Sequence, residues 1–225
     1  MATISVARPE LQIELEDPLD HLPFSNPLEY RKGRMIYSQE QPSTSLYLVV
    51  EGKVKVSRLA DDGHQVVLDI YQADDFFGES AFLNLPRRRE QAVALENTKL
   101  MRWSATALEE IVERRPRLAV ALLQVLVQRT IGFKDRIESF SADKIALRLA
   151  RTLIHFSERL GTPDEDGSSR MGPLSHELLA QYVGTTRGIV TLHMNYFRRR
   201  SYVRYNRKGI NLYRDSLRDW LRENN

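Results

Sequence analysis

The 225-residue chain contains no cysteine. That single absence excludes disulfides, thiol nucleophiles, thiolate zinc sites and cysteine-ligated iron–sulfur clusters. No apolar run reaches the roughly 18 residues a membrane span requires. The first residues, Met1-Ala2-Thr3-Ile4-Ser5-Val6-Ala7-Arg8, lack the long apolar centre of a secretory signal. No membrane partner is expected, and the expected location is the cytoplasm. His21, His64, His155, His176 and His193 are scattered without ligand spacing, so no metal site is expected. There is no Ser/His/Asp constellation, P-loop or paired carboxylate motif, so the chain is not expected to be an enzyme and no catalytic residue is assigned. A further absence is local. Between Leu178 and Arg214 there is neither Asp nor Glu, yet Arg187, Arg198, Arg199, Arg200, Arg204, Arg207, Lys208 and Arg214 all fall there. Net charge over the whole chain is only +3, so these cations are segregated rather than abundant. A one-signed terminal third is the footprint of polyanion binding. The N-terminal segment is the reverse, with Glu10, Glu14, Glu16, Asp17 and Asp20.

Residues 1–25 carry weak patterning and the breakers Pro9, Pro18 and Pro23; they read as an irregular arm with at most one short helix. From Tyr30 to about Ser104 the hydrophobic period is two. Strands are expected at 35–37, 46–50, 54–57, 66–71 and 99–103. Glu51-Gly52 marks a turn between two strands, and Asp61-Asp62-Gly63 a hairpin. Short strands at near-regular spacing point to a closed or double-layered antiparallel structure.

After Ser104 the period becomes helical. A helix is expected over 105–114, ended or kinked at Pro116, followed by a long one from Pro116 to about Ser139. On it Ala119, Leu123, Leu126, Thr130, Phe133, Ile137 and Phe140 recur at alternating four and three, the spacing of a coiled-coil seam. Leu118, Leu122, Val125 and Ile131 form a second apolar flank that can cover the β domain. Asp143 is the expected N-cap of a helix over 144–159. Gly161 to Pro173 reads as a loop by composition, and two short helices and a β hairpin follow.

The stretch from Leu174 to Met194 carries a helix-turn-helix pattern. Ser175 can cap the first helix, and Ala180 is small where two helices cross. Gly184 sits where the turn demands positive φ, Thr185 or Thr186 can cap the second helix, and Val190 points back into the junction. The second helix then presents Thr186, Arg187, Gly188 and Thr191. Arg187 can reach guanine O6 and N7 with two hydrogen bonds, or else a phosphate. Ser175 and His176, at a helix start, suit a phosphate. Asn206-Arg207-Lys208-Gly209 looks like a hairpin tip whose Arg207 and Lys208 would lie beside the DNA backbone.

Over nearly its whole length the sequence resembles the CRP/FNR family of regulators. The resemblance is carried by Gly33-Arg34-Met35-Ile36-Tyr37, Leu46 through Val54, Asp75-Phe76-Phe77-Gly78-Glu79-Ser80-Ala81, the long helix and the motif above, in that order. It implies an α+β fold: an N-terminal double-stranded β-helix (a jelly-roll-like, cyclic-nucleotide-binding-like roll), a long dimerisation helix and a C-terminal winged helix-turn-helix. The expected divisions are an arm at 1–25, a sensor domain at 26–114, a dimerisation helix at 115–140 and a DNA-binding domain at 141–225. The implied function is that of a homodimeric transcription regulator. Its partners would be a pseudo-palindromic duplex operator and, in transcription, RNA polymerase. The competing reading is a ligand-sensing module that acts through protein–protein contacts.

The resemblance also implies an effector pocket built on Gly78, Glu79 and Ser80, with an arginine about ten residues later holding a cyclic phosphate. That arginine is Arg88, or Arg89 if the loop is one residue longer; counting back from Ala94-Leu95-Glu96 favours Arg88. Its successors are Arg89 and Glu90 rather than a small hydroxyl and alanine, and Glu90 would repel an anion at short range. Phe133 and Lys134 stand about where cyclic-AMP-binding relatives place hydroxyls against the purine. Cyclic AMP is therefore not the expected effector, and no cofactor is assigned beyond a small anionic or nucleotide ligand of the roll. In the second helix, Gly188 and Leu192 replace the Glu and Arg common in the family, so the operator is expected to differ from the usual half-site.

Overall fold

The computed structural model describes residues 15–224. Glu10, Glu14 and most of the expected arm lie outside the described residues. In the rest of the arm, Asp17 caps a single 3-10 turn at Pro18–Asp20. Eight strands then form the roll: β1 (Leu28–Tyr30), β2 (Met35–Tyr37), β3 (Ser45–Glu51), β4 (Val54–Leu59), β5 (Gln65–Tyr71), β6 (Phe76–Phe77), β7 (Gln91–Ala94) and β8 (Thr98–Ser104). They make two antiparallel sheets, in the orders β1-β8-β3-β6 and β2-β7-β4-β5.

Alternation explains why β3 reads as an unbroken apolar run. Tyr47 and Val49 point between the sheets, and Leu46 and Leu48 point out beneath the helices that follow. Gly52 carries the chain from one sheet to the other at φ 91°, with the Asn97 carbonyl 2.5 Å from where a Cβ would stand. Only glycine fits both conditions. The interior is closed by rings: Phe77 stacks on Tyr47 at 5.1 Å and on Tyr71 at 5.5 Å, and Tyr37 joins at 5.7 Å from Tyr47.

Ser104 caps α1 (Ala105–Arg114), accepting from the Ala107 amide at 3.1 Å. α2 (Arg117–Ala142) follows, with Leu118, Ala121 and Leu122 buried against the roll's outer face. Ile131 departs from the expected second flank: it is 54% exposed and belongs to the outward stripe with Val120 and Val127. α3 (Ile145–Arg159) is not capped by Asp143 as expected. That carboxylate instead accepts from Ser139 and from Arg151 Nε at 2.8 Å, a charged donor that outcompetes a backbone amide.

The C-terminal domain continues with β9 (Thr162–Pro163), β10 (Ser169–Met171), α4 (His176–Val183), α5 (Arg187–Arg199), β11 (Val203–Asn206), β12 (Gly209–Leu212) and α6 (Arg214–Asn224). The expected 161–173 loop thus contributes two strands, and the expected two-stranded hairpin is the edge of a sheet ordered β11-β12-β10-β9. α6 was not anticipated; it buries Leu217, Trp220 and Leu221 against the domain core.

The two domains meet on β5. A bulge leaves Leu68 without a cross-strand partner on β4, and Val67 and Ile70 join the C-terminal core. Arg136 of α2 fills the gap in the ladder: it donates to the Leu68 carbonyl at 2.6 Å and the Val67 carbonyl at 2.8 Å. From the same guanidinium a bond of 2.7 Å reaches the Tyr182 carbonyl of α4, with the guanidinium 3.8 Å from that ring's centre. Beside it, Arg159 of α3 binds both oxygens of Asp69 at 2.9 and 3.0 Å and Asp75 at 3.1 Å.

His155 lies in this junction, half-buried. Burial, with the Arg159 charge adding to it, holds its pKa below the ordinary 6.5. The unfolded chain then takes up a proton that the folded chain refuses. Stability attributable to this group is complete above about pH 6.5 and falls as pH drops below it. Urea unfolding at decreasing pH is expected to show this loss, and His155→Gln to reduce its slope.

Candidate nucleic-acid interface and sensor pocket

Local sequence sets the helix-turn-helix geometry directly. Ser175 Oγ accepts from the Leu178 amide at 3.1 Å and starts α4. Gly184 ends α4 at φ 73°, with Phe140 Cε1 2.7 Å from where a Cβ would stand. The glycine therefore serves both the left-handed turn and the close approach of the end of α2. Of the two candidate caps, Thr186 is the one used: its hydroxyl accepts from the Ile189 amide at 3.4 Å, whereas Thr185 donates its own amide to the Ala180 carbonyl. Ala180 and Val190 are buried where α4 crosses α5.

The expected contact residues cluster at the paired N-terminal ends of α4 and α5. Thr186, Arg187 and Gly188 are exposed. His176 Nδ1 is 2.8 Å from Thr191 Oγ1, and that hydroxyl donates to the Arg187 carbonyl at 2.9 Å. His176 also meets the Tyr205 ring edge-on at 5.3 Å. Burial, then the Arg187 charge, pushes its pKa down. Tyr205 in turn donates its hydroxyl to Asn195 Oδ1 at 3.1 Å, tying the wing to α5. At the wing tip Arg207 and Lys208 are both exposed, and Arg207 borders a cleft it shares with Ser175. Arg198, Arg199 and Arg200 are exposed at the end of α5, with Arg198 5.5 Å from the Tyr205 ring centre.

In the roll, Gly78, Glu79, Ser80 and Arg88 come together, while Arg89 faces solvent. Arg88 is 4% exposed and already held. It donates to the Ser45 carbonyl at 2.9 Å, contacts Ser80 at 3.4 Å, lies 3.9 Å from Glu90 and covers the Tyr37 ring at 3.9 Å. Ser80 is itself bound to Ser43 at 2.7 Å and Glu90 at 3.1 Å. Glu79 is 3.6 Å from Arg129 of α2, a residue the sequence reading did not single out.

Phe133 and Lys134 are not brought to this set. Both are exposed, and Phe133 borders an outer cleft with Asp74, Asp75 and Arg159. Arg129 is the α2 residue that meets this set, through Glu79, and Phe133 lies one helical turn, about 6 Å, beyond it. Of the seam residues, Ala119, Leu123, Thr130, Phe133, Ile137 and Phe140 are exposed; Leu126 is half-buried beside Leu46 and Phe76.

Two family models match this arrangement. The cyclic nucleotide-binding domain covers residues 27–115, and the Crp-like helix-turn-helix domain covers residues 147–220. The chain belongs to the CRP/FNR family. As a CRP/FNR protein it is a transcription regulator with a helix-turn-helix DNA-binding domain, not an enzyme. One similar relative is the CRP-like cAMP-activated global transcriptional regulator of Mycobacterium tuberculosis strain H37Rv, 28% identical over 82% of each chain. Another is the global nitrogen regulator of Synechococcus elongatus, 27% identical over 82% of this chain and 84% of that one. Among solved structures, FixK2 from Bradyrhizobium japonicum superposes with a TM-score of 0.78 at 21% identity, covering 88% of this chain and 97% of that one. TTHA1359, a CRP/FNR-family regulator of Thermus thermophilus, gives 0.71 at 25% identity over 88% and 98%. No helix among the described residues is long and apolar enough to cross a membrane.

Proposed function

We propose that this regulator works in the cytoplasm as a homodimer joined along α2 and binds a pseudo-palindromic operator, with RNA polymerase as its partner in transcription. The observation that carries the reading is the placement of Arg187. It is exposed in the first turn of α5, directly after the Gly184 turn, beside a network that links α4, α5 and the wing. In such a docking the N-terminal end of α5 enters the major groove, Arg187 reads guanine, and Ser175, Thr186, Arg207 and Lys208 hold phosphates. Thr185 and His176 act through position rather than contact, one closing the turn and the other bracing Thr191.

For the sensor we propose a small anionic effector other than cyclic AMP. An anion entering the roll has to take Arg88 from Glu90, Ser45 and Tyr37, and the rings of Tyr47, Tyr71 and Phe77 occupy the space behind. Glu79, bound toward Arg129, connects any rearrangement there to α2.

The test is selection of duplexes from a random pool by the full-length protein, followed by footprinting and a salt titration. The expected product is an inverted repeat with half-sites about one helical turn apart, bound with a steep negative salt slope. Arg187→Ala is expected to weaken operator binding about 5- to 150-fold, the loss of one bidentate base contact, and to relax preference at a single base pair. Failure to enrich any duplex would overturn the reading.

A further inference from the structure

α5 sends Val190, Met194 and Phe197 into the core of its domain. At 3.6 residues per turn the opposite face runs through Gly188, Leu192, Asn195 and Arg199. That outer face is the one a recognition helix lays into the major groove. Among the described residues its middle offers a single free polar donor, the Asn195 Nδ2. Gly188 has no side chain, and the space where its Cβ would stand is open apart from Thr186 Oγ1 at 3.9 Å. The Thr191 hydroxyl is taken by the Arg187 carbonyl and His176, and Asn195 Oδ1 accepts from Tyr205. What remains at the middle of the face is the Asn195 Nδ2 donor and Leu192, 61% exposed and the most exposed large apolar side chain on this helix.

Base edges in the major groove carry donors and acceptors, with one apolar exception, the C5-methyl group of thymine. We infer that Leu192 is a specificity-determining residue that packs on a thymine methyl in each half-site. The missing side chain of Gly188, one turn earlier on the same face, lets the helix sit close enough to reach it. The inference rests on the DNA-binding reading above and adds the base class that the centre of α5 selects. Leu192 lies five residues, about 7.5 Å, beyond Arg187. The thymine is therefore expected about two base pairs from the guanine that Arg187 reads.

The test begins with an operator selected by the full-length protein. Each thymine position of the half-site is replaced in turn, in both half-sites, by deoxyuridine. This removes the methyl group and leaves the hydrogen-bonding edge intact. At one position the wild-type protein is expected to lose about fourfold in affinity per methyl, the equivalent of ~0.8 kcal/mol, and so about fifteenfold over two half-sites. Leu192→Ala is expected to bind the thymine and deoxyuridine operators equally well while still discriminating at the guanine. Wild-type protein that binds every deoxyuridine operator as tightly as the thymine one would overturn the inference. So would Leu192→Ala protein that keeps the full methyl sensitivity. If no duplex is enriched at all, the DNA-binding reading fails first and this inference falls with it.

Discussion

Leu123→Glu combined with Ile137→Glu is expected to leave a folded monomer whose operator affinity is about 10²- to 10⁴-fold below that of the parent protein. Leu123 is 60% exposed and Ile137 65% exposed, so neither carboxylate has to be buried in the isolated chain. Val120, Val127, Ile131, Phe133 and Phe140 continue the same apolar stripe along α2, each at least 39% exposed. Covering such side chains against a second copy contributes about 1.5–3 kcal/mol each when burial is complete. Two opposed carboxylates at each position remove that gain and add repulsion. DNA binding falls because two linked recognition helices engage the operator with an effective concentration that a monomer lacks. Sedimentation and far-ultraviolet dichroism check the first half of the expectation, and a binding titration checks the second. A double variant that remains dimeric would show that α2 is not the seam.

The second large effect is expected at Asp69. Removing its carboxylate with Asp69→Ala strands Arg159, which is three-quarters covered and donates two of its bonds to that group. Leaving one member of a buried ion pair typically costs about 3–5 kcal/mol; the partial exposure of Arg159 and its second partner Asp75 place this case at about 2–4 kcal/mol. The loss is expected in urea or thermal unfolding. The double variant Asp69→Ala with Arg159→Met should recover much of it, because the penalty lies in the unpaired charge rather than in the missing contact. Since this pair joins the roll to the C-terminal domain, the single variant is also expected to loosen the junction first. Hydrogen exchange at β5 and α3 would detect that order.

The elements that were legible in the sequence are those whose pattern is local. β3, β4, β5 and β8 show the two-residue period, and α4 and α5 are bracketed by Ser175, Gly184 and Thr186, whose side chains or φ angles make the caps. β2 is as short as β1 but was legible in Met35-Ile36-Tyr37; β1, β6 and β7, two to four residues long, were not legible as strands. β9 and β10 flank the polar stretch around Asp164 to Ser168; β10 pairs with β12 and β9 with β10, and Asn211 donates to Asp164 and Ser168. α6 hides Leu217, Trp220 and Leu221 among Arg and Asp residues.

In the sensor, Gly78, Glu79 and Arg88 were legible through the family resemblance, but most of the partners that hold them were not. Glu90 was legible beside Arg88, but Arg129 carries no signature that distinguishes it from an ordinary surface charge. Arg136 is the extreme case: its partners are backbone carbonyls freed by a bulge, and no residue type announces a free carbonyl.

Phe140 closes the apolar stripe of α2, and its ring rests on Gly184 at the corner between α4 and α5. One phenyl group thus serves two surfaces whose duties differ. Under the proposed pairing along α2, a substitution that tunes how the helices associate is expected to press also on the bend before Arg187, and a bulkier residue in the bend to push back along α2. In the proposed dimer, subunit pairing and promoter choice are therefore not separate traits, because both pass through a single point of touch.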